Sequence, residues 1–323
     1  MLRGLRAAAM LLLVLVAACV GGVKGVNMQS DNAAQSQPGP TGQFLTIDGT
    51  KLHYQIEGSG PDLVLIHGAG GSLRDFTFGL VDQLSDQFRV ILFDRPGHGF
   101  TDRIANRAEL GESPAEQAAL LSKAAEQLGV KDAVIAGHSY GGAVALAWTL
   151  NHPEQVRALV TLAAVSNEWQ GDLGTWYSVT NSWLGRNLLI PVISAAASRA
   201  RLEATTKGIF EPDPVPQGYL DHMGADLSKS TTVLRSTTQQ VNGLKPHIIA
   251  MERRYPGIKI PVEIVHGDQD TSVPFAIHGQ VLAGQIDGAN LTVLPGVGHM
   301  PHHADQPAAL QAIRRAALRA GLR

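Results

Sequence analysis

The sequence contains too little cysteine for several classes of protein. Cys19 is the single cysteine among 323 residues, which excludes an intrachain disulfide and a metal site built on paired cysteines. Twelve histidines are present, but none lies in a His-Glu-x-x-His pattern. The group His299, His302 and His303 has no second set of ligands at metal spacing. We therefore expect neither a metal ion nor a cofactor.

An excess of charge of either sign is also missing. Lysine and arginine total 26 and aspartate and glutamate total 28, which gives a net charge of -2. A protein that binds nucleic acid or another polyanion usually carries a basic surface. The composition gives no reason to expect such a partner.

The N-terminal region has the pattern of an export signal. Two arginines occur in residues 1–6, and residues 7–20 are apolar and uncharged, a run too short for a comfortable membrane span. The run includes Val16-Ala17-Ala18-Cys19, which resembles the lipobox of bacterial lipoproteins. That resemblance implies a signal peptide at 1–18, lipidation of Cys19, and attachment of the exported protein to a bacterial membrane. The alternative is ordinary cleavage near Ala18, which would leave a soluble secreted protein.

The rest of the chain divides into a tether and one folded domain. Residues 21–43 are polar and rich in Gly, Gln, Asn, Ser and Pro, as in a flexible linker, and together with the anchor at Cys19 they make up a predicted tether over 19–43. Residues 44–57 predict a β-hairpin with its turn at Asp48-Gly49, and Ser113 followed by Pro114 predicts the start of a helix. Further apolar strands are predicted at 62–66, 89–93, 134–137, 156–162, 260–265 and 291–294, and helices at 113–128, up to 150, around 275–285 and at about 306–319. Apolar strands that alternate with helices predict an α/β domain with a mostly parallel sheet covered on both faces.

The alternation stops between about 163 and 258. This stretch contains three of the four tryptophans and a proline-rich break at 212–216. We expect it to form a helical cap inserted into a domain that spans residues 44–323.

The segment Gly137-His138-Ser139-Tyr140-Gly141 joins a predicted strand to a predicted helix. A sharp turn at this point would strain the backbone of Ser139, and glycines two positions away on either side would avoid a collision. The turn would expose the serine hydroxyl at the end of the strand. It would also place the Tyr140 amide at the start of a helix, where it can donate to an oxyanion.

Together with three other motifs, this segment resembles the α/β-hydrolase fold. His67-Gly68 follows one strand, Gly267-Asp268-Gln269-Asp270 follows a late strand, and His299 follows the last strand. The chain order Ser, Asp, His is the order of that family. The likeness covers essentially everything from residue 44 onward.

The resemblance implies a catalytic triad. Ser139 would be the nucleophile, His299 its general base, and Asp270 the carboxylate that orients the imidazole. Asp268 is the alternative acid, and Glu168 is a more remote one.

The resemblance also implies an oxyanion hole and an activity. The amides of Ala69 and Tyr140 would form the oxyanion hole. We expect a cofactor-free serine hydrolase that cleaves a carboxylic ester or related acyl bond, with a small apolar acyl substrate. Trp176 and Trp183 of the cap would line the substrate pocket or fill the core of the cap. The same motifs also fit a perhydrolase-type haloperoxidase, a lactonase, a carbon–carbon bond hydrolase or an acyltransferase, and a ligand receptor that keeps its triad.

Overall fold

The computed structural model describes residues 39–105 and 111–322. The predicted signal peptide, Cys19 and most of the predicted tether lie outside the described residues. Within the described ranges, no helix is long and apolar enough to cross a membrane.

Eight strands form one sheet in the order β1-β2-β4-β3-β5-β6-β7-β8. Strands β1 and β2 pair antiparallel, β2 pairs antiparallel with β4, and every other pairing in the sheet is parallel. The predicted α/β-hydrolase fold with a mostly parallel sheet is thus confirmed. The strands are β1 (Gln43–Ile47), β2 (Thr50–Glu57), β3 (Asp62–Ile66), β4 (Arg89–Phe93), β5 (Ala133–His138), β6 (Val156–Leu162), β7 (Val262–Gly267) and β8 (Asn290–Leu294).

The first two strands form the expected hairpin. Asp48 and Gly49 occupy its two-residue turn and both have positive φ, at 48° and 81°. Turns with two positive φ angles match the twist of the flanking strands, and Asp-Gly is a favoured sequence for them.

Helices follow most of the strands. The α-helices are α1 (Arg74–Thr77), α2 (Pro114–Gln127), α3 (Tyr140–Asn151), α4 (Thr175–Asn181), α5 (Ile190–Ala196), α6 (Arg199–Phe210), α7 (Tyr219–Met223), α8 (Ala225–Ser228), α9 (Thr231–Asn242), α10 (Leu244–Glu252), α11 (Gly279–Gln285), α12 (Pro301–Ala304) and α13 (Gln306–Arg319). Helix α2 begins where predicted, because Ser113 and Glu116 form a capping box at its first turn.

The helices α4 to α10 lie between β6 and β7, in the stretch where the strand–helix alternation stops. The helix predicted around residues 275–285 begins later, at Gly279. The N–H groups of Ile277 and His278 both donate to the carbonyl of Pro274, so the residues before Gly279 form a tight turn. The imidazole Nδ1 of His278 lies 3.2 Å from the amide N of Ser166, on the loop after β6, and this contact fixes the turn.

The sheet separates two apolar layers. Along β3, Leu63 and Leu65 face one layer, and Val64 and Ile66 face the other. Helices α2, α3 and α10 contribute to the layer of Val64, whereas α13 covers the opposite face. Because both faces are buried, the central strands have no polar side, which explains their continuous apolar sequences.

The carboxyl ends of the parallel strands lie along one edge of the sheet. The loops after β3, β5, β7 and β8 leave from this edge, and it is where ligands bind in open α/β sheets. Each of the four sequence motifs lies in one of these loops.

The helix after β5 packs very close to β3. A methyl group on Gly141 would overlap the backbone carbonyl oxygens of Ile66 and His67. The exposed helical Gly208 has no heavy atom within 4 Å of the position a methyl group would take.

We predict that Gly141→Ala lowers the free energy of unfolding by about 2–3 kcal/mol, because the backbone of β3 must move to make room. The matched change Gly208→Ala should raise it by about 0.5–1 kcal/mol, since alanine is the better helix former. Urea denaturation of the two variants measures both values. Equal stability of the two would contradict the close approach.

Candidate active site

Ser139 lies at the junction of β5 and α3 in a strained conformation. Its φ is 53° and its ψ is -120°, a region that residues other than glycine rarely adopt. The surrounding backbone holds this geometry: the Ser139 N–H donates to the carbonyl of Leu162 at 3.0 Å, and the Ser139 carbonyl accepts from Gly142 at 3.0 Å and from Val165 at 3.2 Å. The turn therefore rests on the neighbouring strand β6 as well as on its own helix.

The structure brings Ser139, His299 and Asp270 together. Nε2 of His299 lies 3.0 Å from Oγ of Ser139, and Nδ1 of His299 lies 2.7 Å from Oδ2 of Asp270. A carboxylate only accepts hydrogen bonds, so Nδ1 carries the proton and Nε2 is free to accept from the serine hydroxyl. The three side chains come from the ends of three different strands.

Several donors hold the Asp270 carboxylate in place. Its Oδ1 accepts the N–H groups of Ser272 at 2.9 Å and Val273 at 2.8 Å. Burial acts to raise the pKa of Asp270, but the hydrogen bonds from His266 and His299 outweigh burial and bring that pKa below its usual value. Asp270 is therefore ionised at neutral pH.

The two alternative acids lie elsewhere. Asp268 is exposed, and its Oδ1 accepts the N–H of Gly296 at 2.8 Å. Glu168 is exposed as well, and its N–H donates to the Glu252 carboxylate at 2.9 Å. Among the described residues, neither carboxylate forms a hydrogen bond with His299.

The buried side chain of Arg95 binds the backbone of the loop after β3. Its Nε donates to the His67 carbonyl at 2.8 Å and its Nη2 donates to the Gly68 carbonyl at 2.9 Å. Because a trans peptide points its N–H away from its C=O, fixing the Gly68 carbonyl also fixes the direction of the Ala69 N–H. Burial lowers the pKa of Arg95 to about 10, so it remains charged at neutral pH.

Arg95 also contacts Tyr140, whose amide is the second predicted donor to the oxyanion. Its guanidinium lies 4.6 Å from the centroid of the Tyr140 ring, and Tyr140 opens helix α3. Nη1 of Arg95 also donates to Gln117 and to Gln240 of α9, both at 2.9 Å. One buried cation thus connects the loop of Ala69, the helix of Tyr140 and a helix of the cap.

Sequence reasoning missed this role of Arg95. The segment 94–99 resembles a structural turn of the family, and nothing in its pattern shows that the arginine points inward. The signal that could have found it is the composition of the segment, because a charged residue next to glycines and a buried strand must find acceptors within the protein.

His67 also braces this loop. Its Nδ1 donates to the Gly68 carbonyl at 2.8 Å, and its Nε2 accepts the Arg95 backbone N–H at 2.9 Å. Burial, followed by the charge of Arg95, lowers the pKa of His67 to about 4. A neutral imidazole is the form that can donate through one nitrogen and accept through the other.

The segment between β6 and β7 contacts the loop that carries His299. Oδ2 of Asp213, in the segment between α6 and α7, accepts the N–H of Gly298 at 2.7 Å. Gly298 directly precedes His299.

The two cap tryptophans of the sequence analysis lie at the surface. Trp176 is 50% exposed and Trp183 is 65% exposed, so neither fills a core. Trp169 instead packs against the main apolar layer.

One group of side chains in the described structure has the composition of a metal site. An oxygen of Asp75 and one nitrogen each of His138 and His302 lie within 4.8 Å of one another, and all three residues are buried. Sequence spacing could not show this group, because Asp75 comes from a different part of the chain.

A sequence profile of the alpha/beta hydrolase fold matches residues 61–305. The chain belongs to this family. The match includes all four loops described above.

Proteins of known sequence and structure are similar to this member of the family. An uncharacterised protein of Mycobacterium tuberculosis is 27% identical, and the alignment covers 85% of this chain and 81% of that protein. A pimeloyl-[acyl-carrier protein] methyl ester esterase of Vibrio vulnificus is 30% identical over 53% of this chain and 69% of the esterase. The crystal structure of a thermophilic esterase of Thermogutta terrifontis superposes with a TM-score of 0.67 at 19% identity, over 86% of this chain and 99% of that one. At that identity the structural match shows the shared fold alone.

The contacts of Arg95 predict a strong dependence of stability on its guanidinium. Arg95→Lys should lower the free energy of unfolding by at least about 2 kcal/mol, because an ammonium group cannot reach four acceptors and leaves buried carbonyls unpaired. Arg157, which pairs with Asp132 at the surface, is the matched control. Arg157→Lys should change the free energy by less than about 0.5 kcal/mol. Denaturant titration measures both, and a mild effect at Arg95 would show that its bonds are dispensable.

Proposed function

We propose that this chain is a cofactor-free serine hydrolase that cleaves a carboxylic ester or a related acyl bond through an acyl-Ser139 intermediate. One observation carries the proposal: the His299 ring bridges Oγ of Ser139 at 3.0 Å and Oδ2 of Asp270 at 2.7 Å. This geometry suits removal of a proton from the hydroxyl as it attacks a carbonyl carbon.

The steps follow from the positions of these groups. Oγ of Ser139 attacks the acyl carbon while Nε2 of His299 takes the hydroxyl proton, and the ionised Asp270 stabilises the resulting imidazolium. The tetrahedral intermediate collapses, and His299 returns the proton to the departing alkoxide. Water then attacks the acyl-enzyme by the same route, releasing the acid and restoring Ser139.

Negative charge develops on the acyl oxygen in both steps. The amides of Ala69 and Tyr140 are our candidates for its donors, each worth about 3 kcal/mol in the transition state. The bonds from Arg95 to the His67 and Gly68 carbonyls support this assignment, because they hold the Ala69 peptide in one orientation before substrate arrives.

The name of one relative supports an ester as the substrate. The Vibrio vulnificus protein is described as a methyl ester esterase. Perhydrolase, lactonase, carbon–carbon bond hydrolase and acyltransferase activities use the same three side chains, and the choice among them depends on the acyl group and on the acceptor.

An apolar acyl group is the substrate feature that the cap supports. The region of Trp176 and Trp183 exposes several further large apolar side chains, namely Val179, Leu184, Leu188 and Val192. Burial of apolar area contributes about 25 cal/mol per Å², so such a surface favours an apolar ligand.

The triad assignment predicts different effects for the two neighbouring aspartates. On an aryl acetate, Asp270→Asn should lower kcat by about 10⁴, since the amide favours the wrong tautomer of His299. Asp268→Asn changes an exposed side chain and should lower kcat less than about threefold, because its described contacts are the Gly296 amide and the Gln269 side chain, and neither belongs to the triad. Initial rates, with circular dichroism as a check of folding, decide between them.

Ser139→Ala is the control for the mechanism itself. It should reduce turnover to the residual rate that substrate binding and the oxyanion hole provide without a nucleophile. The double variant with His299→Ala should be little slower. A fully active Ser139→Ala protein would overturn the serine mechanism. A wild-type protein that binds esters without steady-state turnover would instead indicate a receptor.

The cap predicts a dependence on acyl length. From acetate to hexanoate esters, kcat/KM should rise by up to about fourfold per CH₂ group if each is buried. Trp176→Ala should weaken this dependence, mainly through KM. Leu318 is also an exposed apolar side chain but lies on α13, outside the cap, and Leu318→Ala should leave the dependence intact. Parallel slopes for all three proteins would remove Trp176 from the substrate pocket.

A further inference from the structure

Three buried side chains meet next to His299, and each comes from a different element. Asp75 belongs to α1, His138 is the last residue of β5, and His302 belongs to α12. Their exposed fractions are 3%, 4% and 0%. None of the three takes a direct part in the mechanism proposed above.

The tautomer of His138 is fixed by its surroundings. Its Nε2 lies 2.9 Å from the carbonyl oxygen of His299, and because a carbonyl only accepts, Nε2 carries the proton. In the neutral ring, the lone pair therefore lies at Nδ1.

That lone pair faces a carboxylate oxygen. Nδ1 of His138 lies 3.8 Å from Oδ2 of Asp75, and Nδ1 has no hydrogen-bond partner among the described residues. The Asp75 carboxylate accepts hydrogen bonds from His302, His303 and Tyr219, as an ionised carboxylate does. Two electron-rich atoms that face each other without a proton between them repel, and a cation between them would remove the repulsion.

The third atom completes a set of metal ligands. Nε2 of His302 lies 3.0 Å from Oδ2 of Asp75, and the three atoms lie within 4.8 Å of one another. In a tetrahedral zinc site with bonds of about 2.1 Å, ligand atoms are separated by about 3.4 Å, a value between the two distances to Oδ2. Each of the two distances to Oδ2 differs from that value by about 0.4 Å.

Hydrogen bonds to neighbouring groups hold His138 and Asp75 in place. Metal-binding imidazoles usually donate their second N–H to a carbonyl, as His138 does to His299. The other carboxylate oxygen, Oδ1 of Asp75, accepts from Tyr219 at 2.8 Å and contacts Nε2 of His303 at 2.8 Å. These contacts leave Oδ2 directed toward His138 and His302.

We propose that Oδ2 of Asp75, Nδ1 of His138 and Nε2 of His302 bind a divalent transition-metal ion, for which zinc is the natural probe. Coordination replaces the hydrogen bond between His302 and Asp75, and the His302 proton moves from Nε2 to Nδ1, which has no hydrogen-bond partner in the described part of the chain. The ion ties α1, β5 and α12 together and balances the charge of Asp75. The proposal concerns structure and does not depend on the hydrolase activity.

The first test is the metal content of the full chain. Protein produced in zinc-supplemented medium and freed of loose metal by gel filtration should contain about one zinc per chain by elemental analysis. Cobalt incorporated in its place should show the visible bands of a tetrahedral nitrogen and oxygen site. Wild-type protein without stoichiometric zinc would overturn the proposal, whatever the variants do.

Variants locate the ion. His138→Gln and His302→Gln should each weaken zinc binding by more than about 100-fold, whereas Tyr219→Phe, which removes only a bond to Oδ1 of Asp75, should weaken it by about 10–100-fold. The exposed His247 is the matched control, and His247→Gln should leave the affinity unchanged.

His299→Gln distinguishes this site from the triad. It should retain zinc, since the His299 side chain is not one of the three proposed ligands and the hydrogen bond from His138 is accepted by the His299 backbone carbonyl. Zinc lost in His299→Gln but kept in His302→Gln would place the ion at the triad and contradict the proposal. Thermal unfolding provides a second measurement: added zinc should raise the Tm of wild type and of His299→Gln but not that of His302→Gln.

Discussion

The strained turn at Ser139 is the constraint on which the rest of the site depends. A left-handed backbone at a residue other than glycine costs on the order of 1–3 kcal/mol, and the surrounding structure must supply that energy. Three backbone hydrogen bonds to Ser139 and the close packing of Gly141 against the carbonyls of Ile66 and His67 stabilise the turn. Both contacts require that β5 lies directly between β3 and β6, which is its place in the sheet.

Buried polar groups determine the positions of loops that the sheet itself does not fix. Arg95 reaches acceptors on the loop after β3, on α2 and on α9. A buried cation is costly unless its donors find partners, so the acceptors and the arginine fix one another. The result is a loop whose orientation is determined before any ligand binds.

The sheet, its order of motifs and the pairing of Ser139 with His299 could be predicted from the sequence, because strand ends and glycine turns leave local patterns. The prediction failed at 275–278, where the contact of His278 with the loop after β6 overrides helical periodicity. It could not find Arg95 or the group around Asp75, since both depend on which side chains distant segments direct inward. The exposed positions of Trp176 and Trp183 were likewise decided by the packing of the cap and not by their hydrophobicity.

The bond between Asp213 and the Gly298 amide has a consequence for how the family can vary. Replacing the segment between β6 and β7 by one without Asp213 would leave the amide next to His299 without this acceptor. The segment between β6 and β7 and the loop of His299 are therefore coupled, and a segment grafted in its place would need its own acceptor at that position.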